Sequence, residues 1–122
     1  MMKFTTIILS LIMSSILMTG QPRHIIVAAD GTGEFASVQE AVNSVRAYMS
    51  DTTYMHIKAG VYREKILIPS WVTNLFMKGE GAGKTVITWD DYAGLHNMGT
   101  FRTYTIWVQG SGFTAEDITF EN

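Results

Sequence analysis

A series of short strand-like segments follows a single helix-like segment, and this order limits the chain to a few architectures. The later segments alternate apolar and polar residues or form brief apolar runs, which is typical of strands, and turns rich in Gly, Asn or Ser separate them. The predicted strands are Tyr54–Lys58, Lys65–Pro69, Leu75–Met77, Val86–Trp89, Thr105–Val108 and Ile118–Phe120. Such a series fits a sandwich, a closed barrel or a β-solenoid.

The helix-like segment favours the solenoid. An apolar strand, His24–Ala29, precedes it, and Ser37 with Glu40 has the spacing of a capping box. One apolar face follows and predicts a helix ending near Tyr48, with the face made by Val38, Ala41, Val42 and Val45. A stack of coils must cover its first apolar layer, so we expect this helix to cap the first coil.

Gly60–Glu64 predicts a sharp corner between two of the strands. Glycine lets the backbone turn where a β-carbon would clash. Strand alternation then places Tyr62 and Glu64 on one face and Val61 and Arg63 on the other.

Composition excludes several classes of function. The chain of 122 residues has no cysteine, so disulfides and thiolate metal sites are excluded. Its formal net charge is −2 and it has no basic run, so nothing drives binding to a nucleic-acid backbone.

Residues 1–20 have the pattern of a secretory signal peptide. Lys3 is the only charge before Arg23, Phe4–Met18 is largely apolar, and Gly20 lies near a possible cleavage point. The apolar run is shorter than the roughly 20 residues of a membrane span. We expect export to the periplasm or the medium, no stable membrane span, and one domain over residues 24–122; a buried N-terminal helix is the alternative.

The last residues, Ile118–Asn122, are strand-like and have no closing turn. A solenoid ending there would expose an unpaired edge, which natural proteins avoid. The interpretation is the N-terminal portion of a longer protein, with a solenoid truncated after its first few coils.

Neither the glycine-rich segment near residue 80 nor the three histidines indicate a ligand site. A phosphate-binding loop ending at Lys84 and Thr85 would need its first glycine at position 78, where the chain has Lys78, and it would need a helix after it. The segment Gly79–Thr85 meets neither condition, so a tight turn is predicted. His24, His56 and His96 lack paired-ligand spacing, so no metal site is predicted.

The remaining polar motifs leave two interpretations open. Asp90 and Asp91 are adjacent and should face opposite ways in a strand, which does not suit shared acid–base chemistry. Phe101–Thr105 alternates aromatic and hydroxyl side chains, which suits a sugar-binding groove or a half-buried strand rich in threonine.

Five sequence blocks follow one another between Ile26 and Asn122. They are Val27–Phe35, Ser37–Val42, Ile57–Glu64, Gly79–Gly81 with Lys84–Thr88, and Gly112–Asn122. Together they make the chain resemble the pectin methylesterases (pectinesterases), and Gly60, Tyr62 and Glu64 match the Gly-x-Tyr-x-Glu signature of that family. The segment from Asp90 to Arg102 looks more like the bacterial branch than the plant branch.

The resemblance implies a right-handed parallel β-helix that hydrolyses methyl esters of polygalacturonate, releasing methanol. In the family an aspartate attacks the ester, a second aspartate is general acid and then base, glutamines stabilise the oxyanion and an arginine orients the nucleophile. All of these match positions beyond Asn122, so no catalytic residue is expected in this chain. No cofactor or metal is implied, and a full-length protein is expected to be monomeric.

Thr105 is the one substrate-contact residue that the resemblance carries over. Tyr104, beside it, stands where many relatives have a small residue, so the groove is expected to differ there. For Gly60, Tyr62 and Glu64 a structural role is preferred.

Three functions are therefore compared. The first is a fragment of an exported pectin methylesterase, inactive alone, and the second is a non-catalytic β-helical module that binds acidic polysaccharide or has lost its function. The third is another hydrolase or a lyase on the same scaffold, although the carboxylate clusters that such lyases use for calcium are not visible.

Overall fold

The structure is a computed structural model in which residues 22–90 and 104–122 are described. Within these ranges the chain forms one short helix and nine strands. The helix is α1 (Val38–Asn43), and the strands are β1 (His24–Val27), β2 (Thr53–Ile57), β3 (Gly60–Arg63), β4 (Ile66–Ile68), β5 (Leu75–Lys78), β6 (Thr85–Thr88), β7 (Ile106–Val108), β8 (Thr114–Glu116) and β9 (Thr119–Glu121).

The strands build three sheets in which all neighbouring strands run parallel. Sheet A has the order β1-β2-β5-β8, sheet B the order β3-β6-β9, and sheet C the pair β4-β7. The chain passes from sheet A to sheet B to sheet C and returns to sheet A one level further along. This winding excludes a sandwich or an antiparallel barrel. The predicted all-β, right-handed parallel β-helix is confirmed.

Stacked apolar side chains fill the interior of the coils. In sheet A, Ile25 pairs in register with Met55, and Met55 pairs with Met77, and all three are fully buried. In sheet B, Tyr62 lies above Ile87 in the same way. Each coil therefore completes its apolar contacts through the coil next to it.

The helix covers the first coil, as predicted. Its buried face consists of Val38, Ala41 and Val42, and the Ser37 hydroxyl accepts a hydrogen bond from the Glu40 N–H at 3.2 Å. The predicted end near Tyr48 is wrong, because α1 ends at Asn43.

The early end of the helix has a local cause. The Ser44 N–H and hydroxyl both bond the Ala41 carbonyl, which tightens the last turn. The Arg23 guanidinium then bonds the Ser44 carbonyl at 2.7 Å and holds the chain where it leaves the helix.

Two strands differ from the sequence-based expectation. Gly60–Arg63 is not a corner between strands but strand β3 of sheet B, and the chain turns just before it, at Lys58 and Ala59. The predicted alternation within it is confirmed, since Tyr62 is buried while Val61 and Arg63 are exposed. Strand β8 was not predicted, because Thr-Ala-Glu carries no apolar alternation and all three residues are exposed.

The region proposed as a signal peptide, residues 1–20, lies outside the described residues, and that assignment stays a prediction. Within residues 22–90 and 104–122, no helix has the length and apolar character needed to cross a membrane.

Candidate functional site

Tyr62 connects β3 to the first turn of the chain. Its phenol donates a hydrogen bond to the Lys58 carbonyl at 2.8 Å and accepts one from the Ala29 N–H at 3.2 Å. Burial raises the pKa of the Tyr62 phenol, and the carboxylates of Asp30 and Glu64 act in the same direction. A neutral hydroxyl that both donates and accepts is suited to fastening two backbone segments together.

Glu64 binds the start of the capping helix from a distant part of the chain. Its two carboxylate oxygens accept hydrogen bonds from the Val38 N–H at 2.8 Å and the Gln39 N–H at 3.0 Å. These are two of the N–H groups that a helix cannot satisfy within itself, and the negative charge also suits the helix dipole.

Gly60 has a φ of +154°, a conformation that side-chain-bearing residues rarely adopt. A β-carbon there would lie 3.4 Å from the Ala29 β-carbon. The Tyr62 and Glu64 side chains each hydrogen-bond backbone groups of distant segments. These bonds support the structural role, which stays a prediction.

Thr105 precedes β7, and its side chain is already engaged. The residue is 7% exposed, and its hydroxyl donates to the Glu121 carbonyl at 2.8 Å. While it donates to Glu121, the hydroxyl oxygen can still accept a hydrogen bond, so this group could contact a substrate hydroxyl as an acceptor. The predicted contact is not tested by these observations and stays a prediction.

The outer face of sheet C carries a partly exposed aromatic cluster beside a lysine. Trp107 is 46% exposed and pairs in register with Leu67 on the neighbouring coil. The Tyr104 ring lies 5.4 Å from the Trp107 ring in an edge-to-face arrangement, and the Lys65 ammonium lies 4.6 Å from the centre of the Tyr104 ring. We call Lys65, Tyr104 and Trp107 the aromatic–lysine patch.

Sequence reasoning selected Tyr104 but missed Lys65 and Trp107. The available signal was strand alternation, which places residues 65 and 67 on the outer face of one coil and residue 107 on the outer face of the next. Among the described residues, no enclosed pocket accompanies the patch.

Two of the three histidines come together, although their sequence spacing gave no sign of it. His24 Nδ1 and His56 Nε2 are 3.0 Å apart on the outer face of sheet A, and His96 lies outside the described residues. Within residues 22–90 and 104–122, no group of three or more His, Asp or Glu side chains is arranged to hold a metal ion.

The other candidate motifs take part in local contacts. Asp90 is exposed and pairs with Arg63 at 3.0 Å, while Asp91 and the segment 101–103 lie outside the described residues. The predicted tight turn at Gly79–Thr85 is confirmed, since the Lys84 and Thr85 N–H groups both bond the Gly81 carbonyl at 2.9 Å.

Comparison with known proteins gives consistent matches. The Pectinesterase family model matches residues 24–122. A putative pectinesterase/pectinesterase inhibitor 22 of Arabidopsis thaliana is 39% identical over 97 residues, which cover 80% of this chain and 18% of that protein. Pectin methylesterase from carrot is 36% identical with a TM-score of 0.73, over 82% of this chain and 31% of that one.

A bacterial structure is also similar. Pectin methylesterase PemA from Erwinia chrysanthemi is 26% identical with a TM-score of 0.68, over 82% of this chain and 30% of that one. The expected bacterial character rests on a segment that, apart from Asp90, lies outside the described residues, and the identity is higher with the carrot protein. That expectation stays a prediction. This chain spans about a fifth of the length of the curated relative and a third of each solved structure.

Proposed function

The chain belongs to the pectinesterase family, and from this premise we propose that it takes part in removing methyl esters from pectin. In this proposal residues 24–122 form the N-terminal coils of the β-helix domain of a carboxylic ester hydrolase, which converts methylesterified polygalacturonate to pectate and methanol. The partner would be methylesterified homogalacturonan in plant cell walls. The observation that carries the proposal is the close backbone match of these coils to a pectin methylesterase.

The chain's own contribution would be to begin the stack and to present one face to the polysaccharide. The helix closes the first coil through Glu64 and the buried face of α1. Sheet C then presents outward-facing side chains on successive coils, with half-buried Leu67 in register with exposed Trp107. An open face of this kind suits a polymer, because a long chain can lie along it without entering a closed pocket.

The ester-cleaving groups that the resemblance implies match no position in this sequence. We therefore expect the 122-residue chain alone to release no methanol from esterified pectin above the uncatalysed background. A non-catalytic module that binds acidic polysaccharide remains the alternative, and it also predicts no methanol release by this chain.

A chimera separates the two functions. Residues 24–122 replace the matching coils of carrot pectin methylesterase, and methanol release from esterified pectin is measured beside the unmodified carrot enzyme and this chain alone. An active chimera supports the proposal, because the coils must then align substrate with the carrot enzyme's catalytic groups. A folded chimera that binds polygalacturonate but releases no methanol favours the binding module.

Export is the second part of the proposal and is supported by the charged and apolar pattern of residues 1–20. Expression with and without these residues, followed by fractionation, tests it. Accumulation of the protein in the periplasm or the medium should require residues 1–20.

A further inference from the structure

We propose that His24 and His56 form a two-imidazole site for a divalent transition metal, with Cu²⁺ as the ion that binds best. The site lies on the outer face of sheet A and joins strand β1 to strand β2, and so the first coil to the second. This inference concerns a second site on the molecule and does not depend on the proposed function.

The winding of the chain brings the two histidines together from positions 32 residues apart in the sequence. In the parallel register, His56 on β2 lies opposite Ile26, which is two positions beyond His24 on β1. The histidines are therefore diagonal neighbours on adjacent strands. Both side chains point outward, because the alternate positions of β1 and β2 are buried in the core.

The distance between the two rings fits a shared metal ion. His24 Nδ1 and His56 Nε2 are 3.0 Å apart, and the planes of the two rings differ by 10°. A metal at about 2.0–2.1 Å from each imidazole nitrogen holds the nitrogens about 2.9 Å apart at a right angle and about 3.3 Å apart at the tetrahedral angle. The observed separation is closer to the right angle, which Cu²⁺ and Ni²⁺ prefer in their square-planar and tetragonal complexes.

Without a metal, the same two nitrogens share one N–H···N hydrogen bond, in which one neutral ring donates and the other accepts. For both nitrogens to bind a metal, the donor ring gives its bridging proton to water and takes one up at its other nitrogen, so its charge does not change. Rotation of the side chains then turns both lone pairs towards a common point outside the sheet. His24 is exposed and His56 is half-buried, so water can reach the metal and supply the remaining ligands.

The groups around the pair favour this use. The Tyr54 ring stacks on the His24 ring, with 5.0 Å between their centres and 14° between their planes, and so limits where that imidazole can lie. A ligand group that is held in place before the metal arrives loses less conformational entropy on binding.

The nearest charged side chain is neutralised by its own partners. Lys78 lies in register with His56 on the next strand, β5, and an unpaired ammonium there would repel a cation. Its ammonium is bonded to the Glu116 carboxylate at 3.0 Å and also to the Asp117 carboxylate. The two negative charges therefore offset the positive charge beside the site.

Titration of the untagged 122-residue chain with Cu²⁺, followed by electron paramagnetic resonance, tests the proposal. We expect one bound Cu²⁺ per chain, with nitrogen couplings from two imidazoles. Ni²⁺ should bind more weakly, and Ca²⁺, which prefers oxygen ligands, should not bind. His24→Ala and His56→Ala should each weaken Cu²⁺ binding at least about tenfold, because the remaining imidazole no longer has a second ligand held close to it.

Two further variants control for other causes. His96→Ala removes the third histidine of the chain and should leave the affinity for Cu²⁺ unchanged. His56→Gln keeps a side chain that can hydrogen-bond His24 but replaces the imidazole by a poor ligand for Cu²⁺. It should lose Cu²⁺ binding while its urea denaturation midpoint stays close to that of the unmodified chain, which separates metal binding from folding.

Several results would overturn the site. They are unchanged Cu²⁺ affinity in both His24→Ala and His56→Ala, coupling to a single imidazole in the unmodified chain, or a loss of affinity in His96→Ala. Failure of the unmodified chain to bind Cu²⁺ would overturn it as well. The proposed function is tested by methanol release from the chimera, so either inference can fail while the other holds.

Discussion

A single residue, Glu64, caps the N-terminus of a helix whose bonded residue Gln39 lies 25 residues away in the sequence. Replacing Glu64 with Gln removes the charge and one of the two acceptors for the Val38 and Gln39 N–H groups. We expect the free energy of unfolding to fall by about 1 kcal/mol, as for loss of a helix cap. Urea denaturation measures this change. Glu34→Gln, at an exposed position in the loop before the helix, is the control and should be close to neutral.

Because of Tyr62, the free energy of unfolding should depend on pH in alkaline solution. Burial raises the pKa of its phenol in the folded state above the ordinary value of about 10. A group with a raised folded pKa contributes stability that is complete below its unfolded pKa and is lost as pH rises through its folded pKa. The free energy of unfolding should therefore decline above about pH 10.

Tyr62→Phe tests this dependence. At neutral pH the variant should be less stable by about 1–2 kcal/mol, because the Lys58 carbonyl and the Ala29 N–H lose their partner. Its decline in alkaline solution should be shallower than that of the unmodified chain. Thermal denaturation across the alkaline range measures both effects, with Tyr48→Phe, at a 73% exposed tyrosine, as the control. An identical alkaline decline in Tyr62→Phe would contradict the assignment.

Among the secondary-structure elements, α1 and β4 are joined by one side-chain amide. The Gln39 amide donates to the Leu67 carbonyl at 3.0 Å and accepts from the Leu67 N–H at 2.8 Å, so it takes the place of a neighbouring strand on β4. Gln39→Leu leaves both backbone groups without this partner. Hydrogen exchange at the Leu67 amide should accelerate about fivefold, in line with one net hydrogen bond.

A matched substitution distinguishes the hydrogen bond that the Gln39 amide donates from the one that it accepts. Gln39→Glu keeps an acceptor for the Leu67 N–H but places a carboxylate oxygen against the Leu67 carbonyl. Protection of the amide should largely remain while overall stability falls. If Gln39→Leu leaves exchange at Leu67 unchanged, the amide does not protect this strand.

The elements also show where sequence reasoning reaches its limit. Alternation located β2, β5 and β6 to within a residue or two, because most of the side chains buried at every second position are apolar. It failed for β8, which is held by parallel pairing with β5 although its side chains are exposed. For the candidate site, alternation gave the facing of Tyr62 but not its partners or those of Glu64, which are brought near only by the winding of the coils.

At the scale of the whole molecule, the register between neighbouring coils cannot be predicted from a single sequence. Leu67 meets Trp107 only because the chain between them completes one turn of the stack, and nothing in its composition fixes the length of that turn. The resemblance to a known family predicted the architecture, whereas the aromatic–lysine patch is apparent only in the folded structure.

Met55 lies between Ile25 and Met77 in the interior of the stack, so it tests whether the coils unfold as one unit. Met55→Ala leaves a cavity in a fully buried ladder and should reduce the free energy of unfolding by about 2–5 kcal/mol. Because each coil completes its core through its neighbours, hydrogen exchange should accelerate on β1 and β5 as well as on β2. Val61→Ala, at a position 66% exposed on β3, is the control and should change little. Acceleration confined to β2 would show instead that each coil opens on its own.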